Sequence, residues 1–389
     1  MKPMMSAFED RDVEIYLDNA ATTMMSEEVV VEMAPYLEER YGNPEAHYHL
    51  GREAKDAVEL ARERVAVLAG CKPKEVFFTS GGTEANNWAI KGLDGDSPVF
   101  VGQTEHASVL EPARWLGMRD LRPSHLLPVS TDGIVDVDEF KRKINDEVPG
   151  LISIQYANNE TGAIQPVEEI AALCREAGVV FHCDAVQAVG KIPVDMREDG
   201  ISMMTLSAHK IHGPMGVGAL CIKDSLIHEL DPLIHGGGHQ DGMRSGTLPV
   251  PLIVGFGKAA EMACSWRRQM DSVRNLRNLM AQSLKERMGA VILGGDNVLP
   301  NILGFILEGT ESVAVCGILC EQYGVCMSTG SACSRGEDSH VLKAMGIERA
   351  NLKSSYRASL GINTDKRAVL IAVDRIQAAI AQAKERDML

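Results

Sequence analysis

Aromatic side chains are scarce in this 389-residue chain: Phe, Trp and Tyr together make up 5% of it. Hydrophobic residues still reach 45%, with 19 methionines among them, so a full core remains within reach. Long apolar runs are missing too. No uncharged stretch exceeds 13 residues, the length of the segment 245–257, whereas a membrane-spanning helix needs about 20 apolar residues. There is no surplus of basic residues. Lys and Arg number 39 against 54 Asp and Glu, a net charge of −15, which argues against a surface for nucleic acid or anionic membrane. No block of five like charges marks a charged tail. The opening MKPMMSAFEDRD has no apolar core ahead of its acids, so a secretory signal is not expected. Nine cysteines, an odd number in a long chain, do not form a secreted disulfide framework. A soluble, cytoplasmic protein is expected, its cysteines serving as thiols, metal ligands or catalytic sulfur.

Apolar runs of strand length alternate with helix-like stretches. Residues 75–80 (EVFFTS), 151–157 (LISIQYA), 179–183 (VVFHC) and 203–206 (MMTL) read as strands, with 219–222 as a fifth. Helical spacing covers 53–69, stopped by Gly70, then 83 onward, and 166–177 with a proline at its start and Gly178 beyond its end. Such alternation predicts an α/β fold with a mostly parallel sheet covered on both faces. It fades after about residue 260. There a charged helix (271–288), a strand (301–307), a helix (312–323) and a long final helix (365–386) predict a smaller α+β part.

Ligands of open parallel sheets sit beyond the carboxyl ends of the strands, and here those ends are rich in polar residues. Ser80-Gly81-Gly82-Thr83, ahead of a helix, reads either as an ordinary turn or as a cradle for phosphate, which glycine amides and a helix N-terminus favour. Lys210 follows a strand beside Ser207 and His209. It is either a surface cation or, partly desolvated, an amine nucleophile for a carbonyl cofactor. Asp184 ends a very apolar strand, with Gln187 just beyond, and suits either a helix cap or a partner for a protonated pyridine nitrogen. At contact such a pair is worth about 4 kcal/mol at an effective dielectric of about 20, before desolvation is subtracted. Amine, acid, phosphate cradle and flanking polar groups together match the needs of pyridoxal 5'-phosphate. Cys316, Cys320, Cys326 and Cys333 are spaced C-x3-C-x5-C-x6-C, which is no standard zinc pattern, and no metal site is expected. Cys316 and Cys320 lie one turn apart on an apolar helix, where core packing is the expected role.

Longer motifs add a resemblance. YLDNAATT (16–23), TSGGTEANNWAI (79–90), ANNETG (157–162), HCDAVQAVGKIPVD (182–195), SAHKIHGPMGVGAL (207–220), GGGHQDGMRSGTLPV (236–250), STGSAC (328–333) and RASLG (357–361) resemble the cysteine desulfurases over nearly the whole chain. Gly82 stands where that family often has alanine, a tolerable change. The resemblance implies the type I aminotransferase fold, with a large cofactor domain at 18–262 and a small domain from 1–17 and 263–389. It implies a homodimer that acts on L-cysteine with pyridoxal 5'-phosphate and passes sulfur to an acceptor protein such as an iron–sulfur scaffold.

Carried over residue by residue, Lys210 would hold the cofactor covalently. Gly82, Thr83, Ser207 and His209 would hold its phosphate, with Thr247 reaching the partner subunit's. His106 would stack on the ring and assist proton transfer, Asp184 would pair with the ring nitrogen, and Gln187 would bond its phenolic oxygen. Asn159 and Arg357 would orient the substrate carboxylate, Arg357 through a bidentate pair. Asn43 is a further substrate-side candidate. Cys333 would take the sulfur. Its Ser/Gly-rich setting suits a carrier that must move, and Arg335 nearby favours the thiolate. Selenocysteine lyase or class V aminotransferase activity on the same fold is the alternative enzyme reading. A non-catalytic sulfur or metal carrier is the alternative outside catalysis.

Overall fold

The computed structural model describes residues 14–330, 338–386 and 388. Thirteen strands occur among them: β1 (Ile15–Tyr16), β2 (Val76–Thr79), β3 (Val99–Gly102), β4 (Ser124–Leu127), β5 (Leu151–Ser153), β6 (Val180–Asp184), β7 (Met203–Ser207), β8 (Gly218–Ile222), β9 (Val291–Ile292), β10 (Ile302–Ile306), β11 (Val325–Cys326), β12 (Ser328–Thr329) and β13 (Ser355–Ser359). The helices are α1 (Glu27–Glu38), α2 (His49–Ala69), α3 (Gly82–Lys91), α4 (Ala107–Met118), α5 (Val137–Asp146), α6 (Val167–Ala177), α7 (Val250–Ala263), α8 (Arg267–Met288), α9 (Ser312–Tyr323), α10 (His340–Ala344), α11 (Arg349–Leu352) and α12 (Lys366–Glu385).

Seven strands form one sheet in the order β2-β8-β7-β6-β5-β3-β4. Only β8 runs against the others, pairing antiparallel with both β2 and β7. The carboxyl ends of β2, β6 and β7 therefore share one edge, so the polar residues that end them converge. Short apolar strands buried on both faces make this sheet: every residue of β2, β3, β5, β7 and β8 is buried. One apolar cluster packs α2, α6 and α7 against one face, around Phe78, Phe181 and Phe256. A second packs α3 and α4 against the other, around Phe77 and Trp88. The edge of β2 is closed by a side chain, since Gln240 exchanges two hydrogen bonds with the Phe78 main chain at 2.7 and 2.9 Å.

The later part of the chain builds a four-stranded antiparallel sheet, β12-β13-β10-β9, covered by α8, α9 and α12 over a separate apolar cluster. β1 pairs in parallel with β11 as a separate two-stranded sheet, and Asp18 bridges to Ser359 of β13. No helix among the described residues is long and apolar enough to cross a membrane.

The structure changes several expected elements. β3 and β4 add strands that the apolar runs did not suggest. The strand expected over 151–157 stops at Ser153, because beyond it the Gln155 amide turns to the Glu105 carboxylate at 2.6 Å instead of a strand. Cys316 does pack on the apolar cluster beneath α9, whereas Cys320, expected in the core, is exposed.

Candidate active site

A cavity of about 390 Å³ opens at the carboxyl edge of the large sheet. Gly82, Thr83, His106, Asn159, Asp184, Gln187, Ser207, His209, Lys210 and Arg357, scattered over 276 positions of sequence, all line it. Two residues that the sequence did not single out, Asp18 and Asn86, line it as well.

The turn after β2 shapes one end. Gly81 caps α3 at φ 149°, a conformation that needs glycine. No side chain caps this helix, so the amides of its first turn, at Gly82 and Thr83, are available to an anion beside the Ser207 hydroxyl. The turn is pinned from outside: Glu84 accepts from the Ser80 amide at 2.8 Å and from Arg244 at 2.8 and 3.1 Å.

Lys210 sits one turn past β7, and its Nζ donates to the carbonyls of Ala20 and Ala21 at 2.6 and 2.7 Å. Beneath it, Lys191 Nζ donates to the Lys210 carbonyl at 3.2 Å. Burial and then the charge of Lys210 push the Lys191 amine down to about 7. His209 bonds Thr22 Oγ1 at 3.2 Å, and its imidazole is pushed down to about 4 by burial, then by Lys210 and Lys191.

Asp184 ends β6. Its Oδ1 accepts from the Val186 amide at 3.0 Å and its Oδ2 from Asn86 Nδ2 at 2.7 Å. The same Asn86 amide reaches Ser108 Oγ at 2.8 Å, which in turn bonds His106 Nδ1 at 2.7 Å. His106 caps α4 through the Ser108 amide. Burial lowers its imidazole from the ordinary value against the opposing pull of Asp184, which favours the neutral ring.

Arg357 projects from β13, where Ser328 and Gly304 are its cross-strand neighbours. Its Nη1 donates to the Asn159 carbonyl and its Nη2 to Asp18. The cavity fits the cofactor that the sequence implied. It offers the first-turn amides of α3 and the Ser207 hydroxyl for the phosphate, an amine at Lys210 and an acid at Asp184. Two buried oxygens on its wall, Gln187 Oε1 and Asn86 Oδ1, lack hydrogen-bond partners among the described residues, which suits a polar guest.

Two expected residues lie away from this cavity. Asn43 is exposed, its Oδ1 spent on the Glu45 amide at 3.0 Å, and it does not line the cavity. Thr247 is exposed and off the cavity too. Cys333 and Arg335 lie outside the described residues. Among the described residues no group of three or more His, Cys, Asp or Glu is arranged to hold a metal ion.

The Aminotransferase class-V family matches residues 15–371. Cysteine desulfurase IscS of Dictyoglomus turgidum is 40% identical over 382 residues, covering 95% of each chain. A solved NifS-like protein superimposes with a TM-score of 0.89 at 34% identity, covering 95% of this chain and all of the other. SspA, solved in complex with cysteine, superimposes with a TM-score of 0.78 at 33% identity over 89% of this chain and 98% of the other. This chain belongs to the class-V aminotransferases, in the cysteine desulfurase family.

Proposed function

We propose that this cavity binds L-cysteine and pyridoxal 5'-phosphate together, and that Cys333 receives the substrate's sulfur. One observation carries the reading: a lysine, an acid, an uncapped glycine turn and an arginine, far apart in sequence, line a single cavity. When bound, the cofactor supplies an electron-withdrawing ring conjugated to the substrate.

The residues of the chain divide the remaining work. The first-turn amides of α3, with Ser207 and His209, hold the phosphate. Asp184, kept in place by Asn86 and the Val186 amide, keeps the ring nitrogen protonated. Gln187 would bond the phenolic oxygen. Arg357 takes the substrate carboxylate and so aims Cα at Lys210. The Lys210 amine anchors the cofactor and then moves the Cα proton. The neutral imidazole of His106 can accept a proton from the substrate thiol. The Cys333 thiolate attacks the substrate sulfur: one S–S bond forms, the Cβ–S bond breaks, and L-alanine leaves. The balance is one cysteine and one thiol in, one alanine and one persulfide out.

Thr247, exposed and off its own cavity, suits contact with the cofactor phosphate of a second copy, so the working form is a homodimer. The persulfide passes on to a sulfur-acceptor protein, such as an iron–sulfur scaffold, in the cytoplasm. Mass spectrometry of the intact protein after L-cysteine tests the assignment, with one extra sulfur on Cys333 expected. Cys333→Ser should keep the cofactor's visible absorbance yet release no sulfide. Undiminished sulfide release from that variant would remove Cys333 from its role.

A further inference from the structure

Three free thiols cluster where α9 meets β11, away from the cavity lining. Cys320 stands on the last turn of α9. Gly324, at φ 60°, ends that helix in the left-handed conformation, with its amide on the Leu319 carbonyl. The reversal lays β11 back along the end of α9, which it packs against, and sets Cys326 beside Cys320, close enough for the two thiols to act on each other. Cys320 is exposed and Cys326 partly so. We propose that Cys320 and Cys326 form an oxidation site that closes to a disulfide when a hydroperoxide reaches it.

The third thiol and a second thiol pair show why the choice falls here. Cys316, one turn earlier on α9, is largely buried, and that burial pushes its thiol up to about 12, away from the reactive thiolate. Cys71 and Cys221 are also close neighbours, but Cys221 is completely buried in β8, out of reach of an oxidant in solution. The pair at 320 and 326 combines contact with access.

The chemistry divides by exposure. The Cys320 thiolate attacks one peroxide oxygen, giving a sulfenic acid and releasing hydroxide. Cys326 then attacks the Cys320 sulfur, forming the S–S bond and expelling the oxygen as water. Overall, two thiols and one hydrogen peroxide become one disulfide and two waters. The bond would form on a strand tied to the substrate side of the cavity. The Cys326 carbonyl accepts from the Leu17 amide at 2.8 Å, one residue before Asp18, and two residues past Cys326 the chain pairs with Arg357. The site needs neither cofactor nor substrate, so it stands or falls apart from the desulfurase assignment.

The test uses the full-length reduced protein, treated with hydrogen peroxide, blocked with a maleimide after denaturation, and cut by a glutamate-specific protease. Cleavage after Glu311 and Glu321 places Cys320 and Cys326 on separate fragments. The expected result is one dithiothreitol-sensitive linked pair of fragments, sequenced as Cys320 to Cys326, while Cys71 and Cys221 remain fully labelled. It should persist in Cys316→Ser and Cys333→Ser and vanish in Cys320→Ser and Cys326→Ser. Sequencing the wild-type fragments assigns the bond even where a variant folds poorly. Full maleimide labelling of both thiols after peroxide, or a bond that runs to Cys316, Cys333 or a second chain, would overturn the proposal.

Discussion

Arg357 Nη2 donates to Asp18 Oδ1 at 2.7 Å while its Nη1 donates to the Asn159 carbonyl at 3.1 Å. The side chain is 4% exposed, and its Nε has no hydrogen-bond partner among the described residues. An incoming carboxylate therefore meets a fixed guanidinium whose charge Asp18 already offsets in part. Arg357→Lys keeps the charge but loses the fork. A hydrogen bond to a charged group contributes about 1.5–3 kcal/mol, so kcat/KM for L-cysteine should fall roughly 10- to 150-fold. Asp18→Asn removes the competing charge and should lower KM for L-cysteine. Steady-state kinetics reads both, and an Arg357→Lys enzyme with unchanged kcat/KM would remove Arg357 from the substrate site.

Glu160 lies beside this arginine, and its Oε2 accepts from Ser339 Oγ at 2.5 Å. Ser339 also caps α10 through the Leu342 amide, so the pair fastens the start of that helix. Burial raises the Glu160 carboxyl from 4.5 to about 7, outweighing the opposing pull of Ser339 and Arg357. The folded protein thus holds a proton that the unfolded chain releases between those pH values. This contribution is complete below pH 4.5 and is lost as pH rises through 7, on the order of 3 kcal/mol in all. Glu160→Gln removes the titration and leaves the other groups in place. Thermal melts at several pH values from 5 to 8 should show the wild type losing a few degrees relative to Glu160→Gln. A constant difference would mean that Glu160 titrates as an ordinary surface acid.

The elements most legible in the sequence were those whose chemistry is local. β6 and β7 are apolar runs ended by Asp184 and Ser207, and a parallel sheet gathers such ends at one edge. β3 is a buried four-residue apolar run no shorter than β2, so nothing physical hid it; β4 sits at the sheet edge with Leu126 half-exposed and lacks the apolar run of a buried strand. Asn86 lies inside a recognised motif, yet nothing in the string shows it bridging Asp184 and Ser108. That contact exists only because α3 packs beside the end of β6. Asp18 is similar: its ion pair spans 339 positions and depends on the bridge between Asp18 and Ser359. Exposure of Cys320 could not be read from an apolar helix, because its neighbour Leu319 is fully buried while Cys320 itself turns to solvent near the helix end.

The glycine turn that opens the phosphate end of the cavity makes unequal demands on its members. A Cβ on Gly82 would sit 3.2 Å from Val186 Cγ2, with Thr205 and Ser207 no closer than 3.7 Å, so a small side-chain shift accommodates it. A Cβ on Gly218, across the turn in β8, would lie 2.6 Å from the Leu206 carbonyl oxygen and 2.8 Å from Gly81 Cα. Those are main-chain atoms of the sheet and of the turn itself, and neither can step aside without moving the cradle. Gly82→Ala should therefore stay within about 1 kcal/mol of the wild type. Gly218→Ala should cost about 3 kcal/mol or more and weaken cofactor retention, because the displaced Gly81 carries the uncapped amides with it. Thermal unfolding and cofactor absorbance after gel filtration separate the two variants. Equal tolerance of both substitutions would show that the close packing of Gly218 against Gly81 does not set the shape of the turn.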